Sequence, residues 1–366
     1  MTSMTTIPTS SSAPLTNALR SRRLPVWALV AIGVAAAVLA VLLFKVAGLM
    51  DGGWVLTLVG AVLIFLIGLS VISSVVEGRR AARNRVATSL IYSAFVLALV
   101  PLVSVVITLL NKGRTRLDGT FFNNSMRNIT AFDSGGGAYH AIVGTLEQAG
   151  IATLITVPLG VAGAIYIVEY GRGRLANTIR FFVDVMTGIP SIVAGLFILA
   201  FWVLIVSPHL SSTHQPFNSG FAAALALFVL MLPTVTRSTE EMLRLVPASL
   251  REGSFALGIA KWKTIMRIVI PTALPGIVTG IMLAVARAAG ETAPVLLVAG
   301  GTPNRNFNPF EGNQESLSVY IYDQAAAATK YGPPRAWTAA LTLVALVLLL
   351  TVVAKLLSRR TKLNQK

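Results

Sequence analysis

Cysteine is absent from the 366-residue sequence, which excludes disulfides, thiolate nucleophiles and cysteine-bound metal. Histidine is nearly absent. His140, His209 and His214 are the three, no pair has the i, i+4 spacing of a helical metal site, and no bound metal is expected. Charged residues make up 12% of the chain, about half the share that covers a soluble domain. Asp and Glu together number 14 against 30 Lys and Arg, for a net charge of +16. In a soluble protein that excess would suggest nucleic acid. Here 55% of residues are hydrophobic and the mean hydropathy is +0.75, so the chain cannot cover itself in water and its solvent is lipid. Basic residues beside membrane spans set topology, and no nucleic-acid partner is expected. No Gly-Lys dipeptide occurs, so no P-loop binds ATP in this chain. G-x-S-x-G and H-E-x-x-H are also missing, which leaves no catalytic constellation.

What is present is a series of long apolar runs. A helix needs about 20 apolar residues to cross the hydrocarbon core. Eight runs qualify, at 26–46, 54–75, 88–110, 148–169, 181–206, 219–236, 271–299 and 337–357. The fold class expected is an all-α, polytopic transmembrane bundle. Residues 1–25, rich in Ser and Thr at their start, read as a disordered tail. Arg20, Arg22 and Arg23 before an apolar run have the form of a signal peptide, but the run is long and no clear small-residue cleavage site follows. A retained first span is expected. With both termini cytoplasmic, the inner segments hold 21 basic residues and the outer ones eight, three of them within 111–117. The stretch Tyr139 to Gln148 is mixed in character and reads as an outer interfacial segment. Two long outer segments, 111–137 and 300–336, carry aromatics such as Phe121, Phe307 and Tyr320 and fit either a docking surface or simple lids.

Two segments carry chemistry. The first is the inner loop 237–271, RSTEEMLRLVPASLREGSFALGIAKWKTIMRIVIP. It divides into a helical piece ending before Pro247 and another from Ala248 to Leu257, with Gly258 as a C-terminal cap. Leu250, Phe255 and Leu257 stand beside Arg251 and Glu252. Such a helix needs a partner protein or the lipid surface to cover its apolar groups. The second segment is the seventh run. At 100° per residue, Gly276, Gly280, Ala284, Arg287 and Glu291 fall on one narrow face. Small residues at four-residue spacing let helices approach closely, so the face points at protein. Arg287 lies 16 residues beyond Pro271, about 24 Å along a helix, in the outer half of the membrane. A charge there is costly unless paired or wet. Arg287 and Glu291 form either a structural i, i+4 ion pair or the lining of a path. An arginine fork suits a tetrahedral oxyanion.

The inner loop resembles the EAA motif of ABC-importer permeases (EAA, three residues, G, nine residues, I-x-L-P). Glu252-Gly253-Ser254, Gly258, Ile268, Ile270 and Pro271 match its spacing, with Gly253 and Ser254 in place of two alanines and Ile270 in place of leucine. The stretch Arg287-Ala288-Ala289-Gly290-Glu291-Thr292-Ala293-Pro294 is similar to the R-x-x-G-E-T-A-P segment of phosphate permeases of the PstA type. Tyr166 to Tyr170 (YIVEY), Pro190 to Val193 and Gly195 to Phe197 agree with that family, and the resemblance spans about residues 80–366. It implies a bacterial inner-membrane permease subunit of an ATP-driven phosphate importer. It also implies a coupling helix at about 247–260, with Arg251, Glu252, Gly253, Ser254, Gly258 and Pro271 in ATPase coupling. Arg287, Glu291, Thr292 and Arg237, the last in LPTVTRSTEEML, would line the substrate pathway. The partners implied are a second permease, a cytoplasmic ATPase dimer that binds ATP and magnesium, and an extracytoplasmic phosphate-binding protein. This chain itself would bind no cofactor. Members of that family generally have six spans, so the two runs within 26–80 look additional to a core at 81–366. The rival readings are a permease for another oxyanion, an ion-coupled secondary transporter, which should show an internal repeat that is not seen, and a membrane enzyme.

Overall fold

The computed structural model describes residues 24–46, 53–130, 132–171, 173–327 and 329–363. The tail expected at 1–25 lies outside the described residues apart from Leu24 and Pro25. Regular structure among the described residues is helical, with a single isolated parallel bridge between Gly300 and Gln314. The chain forms two units, divided between Val106 and Ile107.

The first unit contains helix α1 (Val26–Val41), a π-helical continuation Leu42–Val46, helix α2 (Gly53–Val76), and most of helix α3 (Arg79–Gly113). Helices α1 and α2 pair. The Glu77 carboxylate closes one end of this unit: Leu24 N and Ser73 Oγ donate to it, and Arg85 Nε lies 2.5 Å from it. Lys45 stands 4.7 Å above the Trp54 ring. Trp27, Val30, Val34, Leu63, Ile67 and Val71 are exposed, which suits a lipid solvent.

The second unit continues with α4 (Gly119–Asn123), α5 (Tyr139–Ile165) and its π-helical end Tyr166–Tyr170, then α6 (Arg174–Thr187). Next come α7 (Ser191–Ile198), a π-helical stretch Leu199–Val206, and α8 (Ser207–Leu210). They are followed by α9 (Gly220–Arg244), α10 (Ala248–Ala256), α11 (Lys261–Thr264) with π-helical Ile265–Val269, α12 (Ile270–Ala289), α13 (Ala293–Ala299), α14 (Leu317–Ala326) and α15 (Gly332–Leu363). Helix α9 is central and packs on α5, α6, α7, α12 and α13. Its N-terminal half is rich in alanine, and Ala222, Ala223, Ala224 and Ala226 are all buried. Small side chains allow close helix approach where lipid offers no hydrophobic drive.

Among the described residues, eight helices are long and apolar enough to span a membrane: Trp27–Lys45, Gly53–Val76, Arg79–Arg116, Tyr139–Tyr170, Ser191–Leu210, Gly220–Arg244, Lys261–Ala289 and Gly332–Leu356. The number agrees with the sequence reading, but boundaries are corrected: the third span starts at Arg79 and not 88, the sixth runs to Arg244 and not 236, the seventh starts at Lys261 and not 271, and three further ends move. The fourth span begins at Tyr139, because His140, Ala141, Gly144, Thr145 and Gln148 are buried against protein; their polarity serves packing, not an interface. The fifth does not run from 181. Gly188-Ile189-Pro190 ends α6, since proline lacks an N–H and disfavours helix in the residue before it, and the span starts at Ser191. The seventh ends at Ala289, and residues 293–299 form the separate helix α13. The segment 300–336 contains α14 rather than loop alone.

Candidate functional site

The loop after α9 folds as its sequence suggests. Gly258 has a φ of +74° and closes α10: Gly258 N donates to Phe255 O and Ile259 N to Ser254 O, at 2.9 and 3.2 Å. This double bond pattern needs a left-handed residue, which glycine supplies without strain. Glu252, Gly253, Phe255 and Leu257 are exposed, and a Cβ on Gly253 would meet nothing within 4 Å. Ser254 faces the other way, with its hydroxyl 2.7 Å from Thr264 Oγ1 on α11. Pro271 is the second residue of α12, just past the π-helical turn Ile265–Val269 that leads into it.

Arg251 also turns inward. Its Nε and Nη2 donate to Glu169 Oε1 at 3.0 and 2.8 Å, and its Nη1 and Nη2 donate to Val246 O and Leu243 O. The last carbonyls of a helix have no intrahelical donor, and a cation there also meets the negative end of the helix dipole. One guanidinium thus caps α9 and binds the end of α5. Past the turn, Lys261 Nζ donates to Glu169 O and lies 4.7 Å over the Tyr170 ring. Both ends of the α10 turn are therefore fixed to the Glu169–Tyr170 segment. The sequence places Glu169 inside YIVEY but assigns it no role, because its partners stand 82 and 92 residues away.

The glycines of α12 do mark a close approach. A Cβ on Gly276 would lie 2.2 Å from Met242 Sδ, and one on Gly280 would lie 2.3 Å from Ser238 Oγ, so this face meets α9. Arg287 lies seven residues on, near the helix end, with its side chain 70% exposed. Glu291 is not on α12. It follows Gly290, which ends the helix, and its carbonyl accepts from Ser318 Oγ at 2.8 Å. Arg287 Nε and Glu291 Oε1 are 3.6 Å apart, a loose pair. Thr292 is the N-cap residue of α13, and its side chain makes no capping bond.

Arg237 stands on α9 within a charged group. It donates to Asp184 of α6 and, at 3.4 Å, to Glu240, whose carboxylate also takes Arg244 at 2.6 Å and faces Arg180 at 3.6 Å. On the 300–336 side, Gln314 binds Glu147 and Gln148, and buried Arg335 donates to Asp133 O and Gly135 O. Burial pushes the Glu315 carboxyl up to about 8 against the lowering bond from Thr302 N, and the nearby Asp323 charge raises it further. Glu315 lines a cavity of about 320 Å³ with His140, Tyr320 and Asp323. Among the described residues, no three His, Asp or Glu side chains gather so as to hold a metal ion.

Residues 156–363 match the family described as binding-protein-dependent transport system inner membrane component. The chain is 45% identical over 280 residues to the phosphate transport system permease protein PstA 1 of Mycobacterium tuberculosis, covering 76% of this chain and 90% of the relative. It is 46% identical over 272 residues to PstA of Mycobacterium leprae (74% and 86% covered). It is 36% identical over 284 residues to PstA of Haemophilus influenzae (77% and 96%). A solved structure of the MetNI methionine ABC transporter in an inward-facing conformation aligns at 20% identity over 62% of this chain and 92% of that chain, with a TM-score of 0.44.

Proposed function

The chain belongs to the family of binding-protein-dependent transport system inner membrane components, and from that membership we propose that it is a multi-pass permease subunit of an ATP-driven phosphate importer. The observation that carries the substrate is the 45% identity over 280 residues with a phosphate transport permease. The partners in this reading are a second permease, a cytoplasmic ATPase dimer carrying ATP and magnesium, and an extracytoplasmic binding protein that delivers phosphate. Both termini lie in the cytoplasm, a placement supported by the 21 basic residues of the inner segments.

The α10 turn is the surface offered to the ATPase. Glu252, Gly253, Phe255 and Leu257 are its outward residues, and Gly258 sets its end. Arg251 and Ser254 act from behind, holding the turn to α5, α9 and α11, and Pro271 stands where the chain enters α12. A push on α10 reaches the spans through Arg251 and Lys261 without passing through flexible chain.

Arg287, Glu291, Thr292 and Arg237 line the substrate path. A structural ion pair that holds a membrane bundle should be close and buried. The 3.6 Å separation and the exposed guanidinium of Arg287 support a group that waits for an oxyanion instead. Its fork offers two parallel donors, and its loose partner leaves it free to bind weakly and release.

The test is ATP-dependent uptake of radiolabelled phosphate into vesicles holding the complete transporter, wild type against Arg287→Gln. We expect uptake to fall at least tenfold with assembly and ATPase binding intact, the cost of one charge-assisted contact of about 1.5–3 kcal/mol. Unchanged uptake by the variant returns Arg287 and Glu291 to an ion-pair role. A wild-type complex that carries sulfate but not phosphate overturns the substrate.

A further inference from the structure

The charged group between α6 and α9 is larger than a helix clamp requires. Glu240, 3% exposed, is shared by Arg180, Arg237 and Arg244, and Asp184 brings the set to three cations and two anions. The two halves of the group differ. Arg180 Nε is buried and has no hydrogen-bond partner. Arg237 and Asp184, at 41% and 46% exposed, pair at the open edge. The group therefore holds one positive charge and one donor more than its own carboxylates satisfy, and its most replaceable carboxylate is at the surface.

Its position follows from helix geometry. Taking Ser238, which opposes Gly280 of α12, as zero, α9 places Thr234, Glu241 and Arg237 at about −40°, −60° and −100°. All three are exposed or half-exposed. Val235, which contacts Gly160 of α5, falls at about +60°, on the other side. The open strip of α9 thus lies between its α12 and α6 faces. Arg287 lies about 20° from Gly280 around α12 and about 10.5 Å further along it. Because the two helices run antiparallel, with Gly276 at Met242 and Gly280 at Ser238, this rise points toward Gly220 of α9. Arg237 is one residue from Ser238, a rise of about 1.5 Å the same way. The two arginines therefore stand about 9 Å apart in depth along one groove.

We propose that Arg180 and Arg237 form a second, inner oxyanion station, at which the substrate displaces the resident Asp184 carboxylate from Arg237 and is displaced by it in turn. The proposal rests on the phosphate-import reading above. A carboxylate and a phosphate present the same pair of oxygens to a guanidinium, so the exchange keeps the fork filled. Glu240 stays in place as the buried counter-ion that orients the arginines. A resident competitor lowers the net affinity of the station, which a path needs if its cargo is to leave.

The experiment uses the complete transporter in vesicles, with uptake measured at rising phosphate on the side where the ATPase is bound. Asp184→Asn frees Arg237 from its competitor. Inhibition by phosphate on that side should then set in at about one-fifth of the wild-type concentration, the effect of removing a half-exposed ion-pair partner. Turnover should fall, and Asp184→Glu should restore both. Arg237→Gln in the Asp184→Asn background should abolish the added sensitivity. An Asp184→Asn complex with wild-type turnover and wild-type inhibition overturns the proposal. So does one whose only defect is loss of assembled complex, which is what a plain α6–α9 clamp predicts. Failure of the wild-type complex to take up phosphate at all instead refutes the reading beneath it.

Discussion

Replacing Glu169 by glutamine should separate ATP hydrolysis from transport. Glu169 is 7% exposed and Arg251 19%, so their charges are mostly sheltered from solvent screening. Removing one member of a buried pair costs about 3–5 kcal/mol because the other charge is left uncompensated. Glutamine keeps an oxygen that can still accept from Arg251, and the Leu243 and Val246 carbonyls remain as acceptors, so about 2 kcal/mol is the expected loss. That loss falls on the attachment of α10, not on the bundle. It should raise the open population of the turn about thirtyfold. Amide hydrogen exchange should show this as faster exchange confined to 248–260, with α5 and α9 unchanged. In vesicles the complex should hydrolyse ATP at a rate close to wild type and import fewer phosphates per ATP. Unchanged exchange in the turn together with an unchanged phosphate-to-ATP ratio would refute the strut.

Two predictions concern stability. A Cβ on Gly195 would stand 2.6 Å from Pro294 Cα, which is backbone, whereas one on Gly276 would meet the flexible end of Met242. Gly195→Ala should therefore lower the thermal midpoint clearly, at a cost of about 1–3 kcal/mol, and Gly276→Ala much less; equal effects contradict the packing argument. Glu315 keeps its proton in the folded state up to about pH 8, while an unfolded carboxyl releases it near its ordinary value of 4.5. The stability it supplies is complete below about pH 4.5 and is lost as pH rises toward 8, by at most about 1.4 kcal/mol per pH unit. Glu315→Gln should remove that slope, so its thermal midpoint should gain on wild type between pH 5 and pH 8. A constant difference across that range goes against a neutral Glu315.

The eight spans and the fold of the α10 turn were legible in the sequence because both are local patterns. A span is a run of apolar residues, and Gly258 ends α10 by a backbone preference of its own. Span ends were harder. Tyr139 to Gln148 looks interfacial because Thr145, Glu147 and Gln148 meet polar partners far along the chain, and Gln148 finds Gln314 across 166 residues. The face shared by Gly276, Gly280 and Ala284 was correctly aimed at protein. Extending it to Glu291 was wrong because periodicity does not register that Gly290 ends the helix. Glu169, Arg180 and Glu240 went unassigned for one reason. A charge near a span end is ordinary by itself, and only the fold shows that it is buried and shared.

Helix α9 touches each element of the proposed mechanism, and its contacts are of two mechanical kinds. Against α5 and α12 it packs through Gly160 and Gly280, where a single added carbon would lie within 3 Å of a neighbour. Packed contacts of this sort do not deform gradually, so α5, α9 and α12 should move as one piece. Arg251 attaches the α10 turn to that same piece, at the α9 C-terminus and at Glu169. Against α6 the contact is ionic, and its outer pair, Arg237 with Asp184, is half open to the surface. An ion pair with an exposed partner can exchange that partner at small cost, as a glycine contact cannot. The joint that can give when the ATPases pull on α10 is therefore the α6–α9 joint, and Arg237 is placed in it. Substrate exchange and helix movement would then occur at the same residue. On this argument Asp184→Asn should alter the coupling ratio as well as phosphate inhibition, while a substitution in the α9–α12 seam should alter stability alone.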